Sequence, residues 1–175
     1  MGWLSDSQRR TVEAALARLI PPGADPVAEP GAAEAGCAGY VDGLLDAFAD
    51  DPPRIFAAGP HSGRRGGEPG YQRFLPLSRV QELAWRPRIA DWQERYRAGI
   101  DALGADFAEI DPDEQDARLA SEADFTGLLY EHACEGMYAA PEYGGNRDLA
   151  GWRLADWPGD VTPRGWTADE VARPR

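Results

Sequence analysis

The 175-residue chain is long enough to bury a core as one domain, and its 43% hydrophobic and 27% charged residues are typical of globular proteins, which excludes wholesale disorder. Its formal net charge of −12 repels phosphate backbones and anionic lipid, so we expect no nucleic-acid partner. No stretch of the sequence approaches the roughly 20 apolar residues that a membrane span needs, so we expect no direct membrane insertion. Two distant cysteines, Cys37 and Cys134, exclude a disulfide framework and a CxxC zinc site. Whether either one bridges to another chain stays open.

The first predicted helix begins after Ser5, which forms a capping box with Gln8. Apolar residues then recur at helical spacing until Pro21-Pro22-Gly23 ends the helix. Arg9-Arg10 near its start resembles a twin-arginine signal, but the following residues contain charges and lack the apolar region and the cleavage site of such a signal. We therefore expect a cytoplasmic protein, with a periplasmic or other extracytoplasmic location as the alternative.

A second helix is predicted from about Ala33 to Ala49, where Asp50-Asp51-Pro52-Pro53 ends it. Residues 50–77 have no period and are rich in glycine and proline, which predicts a long loop. Its part at 54–77 carries Arg64, Arg65 and Arg73. Either it is a solvated loop, or it is an arm that reaches onto a partner.

The second half of the chain predicts three more helices. Ser78 and Gln81 form another capping box, and Pro87 should kink or interrupt a long amphipathic helix that ends near Phe107. Asp111 caps a short helix to about Ala120, and a last helix runs from about Ala123 to Tyr138. No segment alternates as a strand would, so the fold class is all-α. We expect residues 1–175 to form a single domain of five to six helices, with a long central loop and an irregular, Trp-rich extended tail at 159–175.

Chemistry-bearing residues are few. His132 shares a helix with Cys134 and two glutamates, but neighbouring helical positions point about 100° apart and cannot all face one ion, which favours a packing role. His61 lies in the long loop. No nucleophile elbow, phosphate-binding loop or dinucleotide motif is present in the sequence. The sequence therefore predicts no catalytic, metal or cofactor-binding residues.

The stretch PEYGGNRDLAGW, residues 141–152, predicts a rigid irregular joint. Two glycines and an asparagine tolerate left-handed backbone, Arg147 and Asp148 can pair with each other or with backbone groups, and aromatic rings flank the turn. Trp152, Trp157 and Trp166 follow closely, so either the tail wraps back on the domain or part of this surface faces a partner. The candidate residues for the structural motif or partner interface are Tyr138, Tyr143, Gly144, Gly145, Asn146, Arg147, Asp148, Trp152 and Trp157.

The segment CEGMYAAPEYGGNRDLAGWRLADWPGD resembles the C-terminal signature of the gluconate 2-dehydrogenase subunit 3 family. LSDSQRRTVEAALARLIPPGADP near the start and DFAEIDPDEQDARL in the middle are also similar to that family's pattern. The loop at 54–77 has no counterpart in that pattern, so the resemblance implies that it is an insertion. The resemblance implies a small, non-catalytic subunit that supports the folding, stability or export of a large flavin-dependent dehydrogenase of the glucose–methanol–choline (GMC) type. It implies FAD in the partner, no cofactor in this chain and a hetero-oligomer.

Two other functions stay open at this point. One is a stand-alone hydrolase with carboxylates in a helical cleft that the 54–77 loop closes. The other is a helical interaction module unrelated to redox chemistry.

Overall fold

A computed structural model describes residues 2–57 and 74–157. In chain order, the helices are α1 (Asp6–Leu19), α2 (Cys37–Leu45), α3 (Arg79–Leu103), α4 (Pro112–Ser121), α5 (Ala123–Tyr138) and α6 (Ala150–Leu154). Two single 3₁₀ turns, Pro141–Tyr143 and Arg147–Leu149, lie between α5 and α6. Within the described residues the only β-contact is an isolated bridge between Ala57 and Phe74, so the predicted all-α class is confirmed.

The helix starts lie where the sequence predicts them. Ser5 and Ser78 each accept a hydrogen bond from the backbone of a glutamine three residues later, and each glutamine side chain bonds back to the serine amide. Asp111 accepts from two backbone amides, with Pro112 in the first turn of α4. These caps satisfy amides that the helix itself leaves without acceptors.

Two helices differ from the prediction at their ends. Helix α2 begins at Cys37 instead of Ala33, because Gly36 is left-handed (φ +74°), and it ends at Leu45, before a series of tight turns. Helix α3 ends at Leu103, where Gly104 turns the chain at φ +94°. Phe107 is nevertheless fully buried, so the helical apolar pattern continues past the end of the helix.

Helix α3 runs through Pro87, so of the kink or interruption expected there, the interruption does not occur. Proline removes one backbone N–H from the ladder of hydrogen bonds. Its ring lies on the exposed side of α3, where water can solvate the carbonyl that loses this donor.

The main core lies between α1, α2, α3, α4 and α5, with Tyr96, Leu129 and Met137 among its fully buried side chains. A smaller cluster of Ala47, Ile55 and Ile89 anchors the chain leading into the long loop. Of the predicted loop and tail, residues 58–73 and 158–175 lie outside the described residues. His61, the cations Arg64, Arg65 and Arg73, and Trp166 lie there too.

Candidate functional site

The joint at residues 141–152 connects α5 to α6 and is hydrogen-bonded to two other parts of the fold. The amide of Asn146 donates to the carbonyl of Gly136 in α5 (2.7 Å), and the amide of Arg147 donates to the carbonyl of Ala35, just before α2 (2.9 Å). Backbone bonds of this kind place the turn independently of its side chains. The joint therefore closes the end of the α2–α5 pair.

Glycines let the backbones approach closely here. A Cβ atom on Gly145 would lie 2.2 Å from the Gly136 carbonyl oxygen, and one on Gly151 would lie 1.9 Å from the Met137 carbonyl oxygen. Gly144 has φ +98°, and its added Cβ would lie 2.9 Å from the carbonyl oxygen of Gly39 in α2. Since the obstacles are backbone atoms, no rotamer change relieves these clashes.

Asn146 lies at the centre of the joint with no exposed surface and with left-handed backbone (φ 47°). Its side-chain nitrogen donates to the Ala139 carbonyl (3.0 Å), and its side-chain oxygen accepts from the Gly151 amide (3.0 Å). One buried amide thus connects the end of α5 to the start of α6. Asparagine suits this position because it tolerates left-handed backbone and both donates and accepts.

The aromatic residues of the joint have different environments. The Trp152 ring is 5% exposed, and its indole N–H donates to the Tyr138 carbonyl (2.6 Å). The Tyr143 hydroxyl accepts from the Ala57 amide (2.8 Å), and the Tyr143 ring meets Phe74 edge-on at 5.4 Å. The joint is therefore also connected to both described ends of the long loop.

Arg147 and Asp148 are exposed, and the structure records no ion pair between them in its described part. The Arg147 guanidinium lies against Gly36, 3.0 Å from where a Cβ would be. Asp148 has φ 51°, and its carbonyl accepts from Arg153 (2.6 Å). The recorded contact is neither of the two arrangements that the sequence left open, because Asp148 is held through its own backbone carbonyl by the side chain of Arg153.

Beyond the joint lies an exposed apolar surface. Tyr138 is 48% exposed and Trp157 is 53% exposed, although both are large aromatic residues. They border a surface cavity of about 490 Å³, together with Ala140, Trp152 and Ala155. We call this the aromatic surface, and it is an apolar part of the candidate site that a partner can reach.

His132 is buried on the inner side of α5. Its Nδ1 lies 2.9 Å from the Tyr96 hydroxyl, with the two rings stacked, and Trp92 meets it edge-on at 4.8 Å. Burial, and to a smaller degree the charge of Arg95, lowers the pKa of His132 to about 4. The imidazole is therefore neutral at pH 7, which agrees with the predicted packing role.

The two cysteines are free and differ in access. Cys37 is fully buried, its thiol points at the Ala133 carbonyl (3.4 Å), and burial raises its pKa to about 12. Cys134 is partly exposed on α5. We expect an alkylating reagent at pH 8 to label Cys134 first and Cys37 only on unfolding, since the thiolate reacts.

Mass spectrometry of the folded protein checks this order, and Cys134→Ser should abolish the fast labelling. Rapid labelling of Cys37 in the folded chain would contradict the packing of α2 against α5.

The sequence analysis did not identify three glycines that pack against the joint: Gly36, Gly39 and Gly136. Gly136 allows α2 and α5 to approach, since its Cβ would lie 3.1 Å from the Cβ of Tyr40. Each is a glycine next to or inside a helical pattern, where it costs stability unless close approach or positive φ requires it. That cost is the signal that could have identified them.

The described residues offer little for other chemistry. Among them, no group of three or more histidine, cysteine or acidic side chains could hold a metal ion. A second cavity of about 370 Å³ lies between α1 and α3, and among the described residues that line it Asp101 is the sole carboxylate. The described residues that line the cavity at the aromatic surface include no carboxylate, so within this part of the chain neither cavity pairs two of them. No helix in the described part of the chain combines the length and the apolar character that crossing a membrane requires.

Comparison with known proteins agrees with the motif at the joint. The family model described as "Gluconate 2-dehydrogenase subunit 3" matches residues 6–159, which is most of the chain and includes the whole joint. No curated protein and no solved structure matches. The family is named for a subunit of a dehydrogenase complex, and the resemblance seen in the sequence is confirmed. The chain belongs to the gluconate 2-dehydrogenase subunit 3 family.

Proposed function

We propose that this chain is a non-catalytic small subunit that binds and stabilises a large FAD-dependent sugar or alcohol dehydrogenase of the GMC type. The observation that carries the proposal is the family match over residues 6–159. FAD and the oxidation of substrate belong to the large subunit, and this chain contributes a binding surface. The assembly is a hetero-oligomer.

The arrangement of the joint supports this role. Its glycines and Asn146 are used for internal packing, so they hold the end of α5 and the start of α6 in one geometry. That geometry presents Tyr138 and Trp157 in solvent. Because tyrosine, tryptophan and arginine dominate binding energy at protein interfaces, we assign the aromatic surface, with exposed Arg147 nearby in sequence, to contact with the large subunit.

The alternatives have less support. A hydrolase needs two carboxylates in a shared cleft, and the described residues that line the two cavities do not include such a pair. A helical interaction module outside redox chemistry fits the same surface, but it leaves unexplained the match to a dehydrogenase subunit family.

Purification of the tagged chain from its native host tests the proposal. We expect a large protein with the visible absorption spectrum of a flavin to co-purify, and alcohol or sugar oxidation to accompany that protein. If the purified chain carries no flavoprotein, or oxidises a substrate alone, the proposal is wrong.

Tyr138→Ser and Tyr130→Ser make a matched pair, because the two tyrosines are 48% and 49% exposed on the same helix. We expect Tyr138→Ser to lower the recovered flavin about tenfold or more, as truncation of an interface aromatic does. Tyr130→Ser should change it little, since Tyr130 lies two turns away from the aromatic surface. Turnover per bound flavin should be unchanged in both, and a selective loss of turnover would indicate an active-site role instead.

A further inference from the structure

The outer face of the first three turns of α3 is apolar although it lies in solvent. Its exposed residues are Val80, Leu83, Ala84, Pro87 and Ala90. Because positions three, four and seven apart share one side of a helix, these residues form a continuous stripe, here called the α3 stripe. Val80 is 77% exposed and Leu83 is 59% exposed.

The core-facing side of α3 is a different one. Trp85, Ile89, Trp92 and Tyr96 recur at the same spacing and pack against α2, α5 and the long-loop ends. They lie about half a helical turn from the α3 stripe, given 100° per residue. The first half of α3 is therefore apolar on two opposite sides, and only one of them meets the rest of the described chain. This pattern is typical of a helix that is packed against other structure on both sides.

Arginines border the α3 stripe in an otherwise acidic chain. Arg79 and Arg86 lie along one edge and Arg88 lies along the other. Glu82, the one acidic residue between positions 79 and 90, lies 3.7 Å from Arg79 and 3.8 Å from Arg86, so the three arginines exceed the acidic side chains by two charges. The Arg86 guanidinium lies 4.2 Å from the centre of the Phe48 ring, and that of Arg88 lies 4.9 Å from Trp85. Rings that already hold these side chains reduce the conformational entropy that binding would cost.

Pro87 adds a polar feature to the α3 stripe. Because proline has no N–H, the carbonyl of Leu83, four residues earlier, receives no hydrogen bond from position 87. The side chains of both residues are exposed. A donor on a partner can therefore bond to the helix backbone at the centre of the stripe.

We propose that the α3 stripe is a second docking surface, and that it binds a segment of the large dehydrogenase subunit whose apolar side chains are bordered by aspartate or glutamate. This inference rests on the proposed function. It adds a second region of this chain that contacts the large subunit and the kind of side chains that it contacts there. Charge complementarity selects the partner, since three arginines against the single carboxylate of Glu82 leave the border of the stripe positively charged, which favours carboxylates opposite it.

Two other occupants fit less well. A second copy related by a two-fold axis through the stripe would place Arg79, Arg86 and Arg88 of one chain against the same residues of the other. An anionic lipid surface would attract these arginines but would be repelled by the net charge of −12.

Val80→Asp tests the proposal, with Val27→Asp as its matched control, because Val27 is 83% exposed and lies between α1 and α2. In complexes purified from the native host, we expect Val80→Asp to lower the recovered flavoprotein about tenfold or more, the effect of leaving one buried valine unburied. Val27→Asp should leave the recovery unchanged. Arg79→Glu should weaken the complex in low salt and much less in high salt.

A photocrosslinking amino acid, p-benzoylphenylalanine, in place of Leu83 identifies what covers the stripe. We expect a crosslinked peptide from the flavoprotein with acidic residues beside apolar ones. Wild-type chain that captures no flavoprotein would overturn the proposed function and this inference together. If the wild type captures it and Val80→Asp captures it equally well, the inference alone is wrong.

The competing occupants have distinct outcomes. Sedimentation that shows a wild-type dimer and a Val80→Asp monomer would assign the stripe to a second copy. Binding to phosphatidylglycerol vesicles that Val80→Asp abolishes would assign it to a membrane. Either result overturns the proposal.

Discussion

Replacing Gly145 by alanine is expected to destabilise the folded chain by about 3 kcal/mol or more, at the upper end of the cost of overpacking. The added Cβ would lie 2.2 Å from the carbonyl oxygen of Gly136, so one of the two backbones must move. The same carbonyl accepts from the Asn146 amide, which means that the movement also breaks a hydrogen bond of the joint. The midpoint of urea unfolding, followed by far-UV circular dichroism, measures the effect.

Gly127→Ala is the control for this variant. Gly127 lies in α5, and an added Cβ there meets nothing within 4 Å. Alanine should therefore stabilise the helix by about 0.5–1 kcal/mol through propensity alone. Gly151→Ala, whose Cβ would lie 1.9 Å from the Met137 carbonyl oxygen, should behave like Gly145→Ala. An unfolding midpoint unchanged in both joint variants would show that the joint is not packed as described.

The Gly145→Ala substitution should also weaken binding to the large subunit, because the joint holds the aromatic surface in place. Tyr138 ends α5, and its carbonyl accepts from Trp152 across the joint. If the joint shifts, the spacing between Tyr138 and Trp157 changes as well. We therefore expect Gly145→Ala to lower the recovered flavoprotein even though Gly145 is itself buried.

The helices were predictable because their signals are local. Ser5, Ser78 and Asp111 each cap a helix within three residues of themselves, so no distant contact is needed to place those starts. The irregular backbone of the joint was also recognisable from its glycines and Asn146, and its family from the motif.

Features that depend on distant contacts were not predictable. The early end of α3 reflects Gly104 together with Arg118, whose guanidinium donates to the Leu103 carbonyl (2.9 Å) from another helix. The role of Gly145 requires Gly136 beneath it. The α3 stripe could not be predicted for two reasons. Its alanines and proline add little to a hydrophobic pattern, and its exposure depends on which side of α3 the core occupies.

The pH dependence of stability should be dominated by His132 in weakly acidic solution. Burial lowers the pKa of His132 from its ordinary 6.5 to about 4 in the folded chain. The unfolded chain therefore binds a proton that the folded chain does not, so stability falls as the pH drops from 6.5 toward 4. The free energy of unfolding should therefore fall by about 2.5 kcal/mol between about pH 7.5 and about pH 4.5.

Carboxylates with shifted pKa values also make the stability depend on pH, but in a different pH range or with the opposite sign. Hydrogen bonds from Arg118 and Arg18 lower the pKa of Asp106 and of Asp116, respectively, so their contribution is lost only below the ordinary range of aspartate. Burial raises the pKa of Asp46, an effect of opposite sign to that of His132. Subtracting the pH profile of a variant that lacks the imidazole removes all of these contributions.

His132→Asn is that variant, because the asparagine side chain can still accept a hydrogen bond from the Tyr96 hydroxyl. It should be less stable than the wild type at pH 7.5, since the shorter side chain leaves a cavity beside Trp92. The difference in unfolding free energy should then shrink by about 2.5 kcal/mol on going to pH 4.5. A difference that stays constant with pH would mean that the imidazole has the same pKa in the folded and unfolded chains, and that α5 does not bury it against α3 as described.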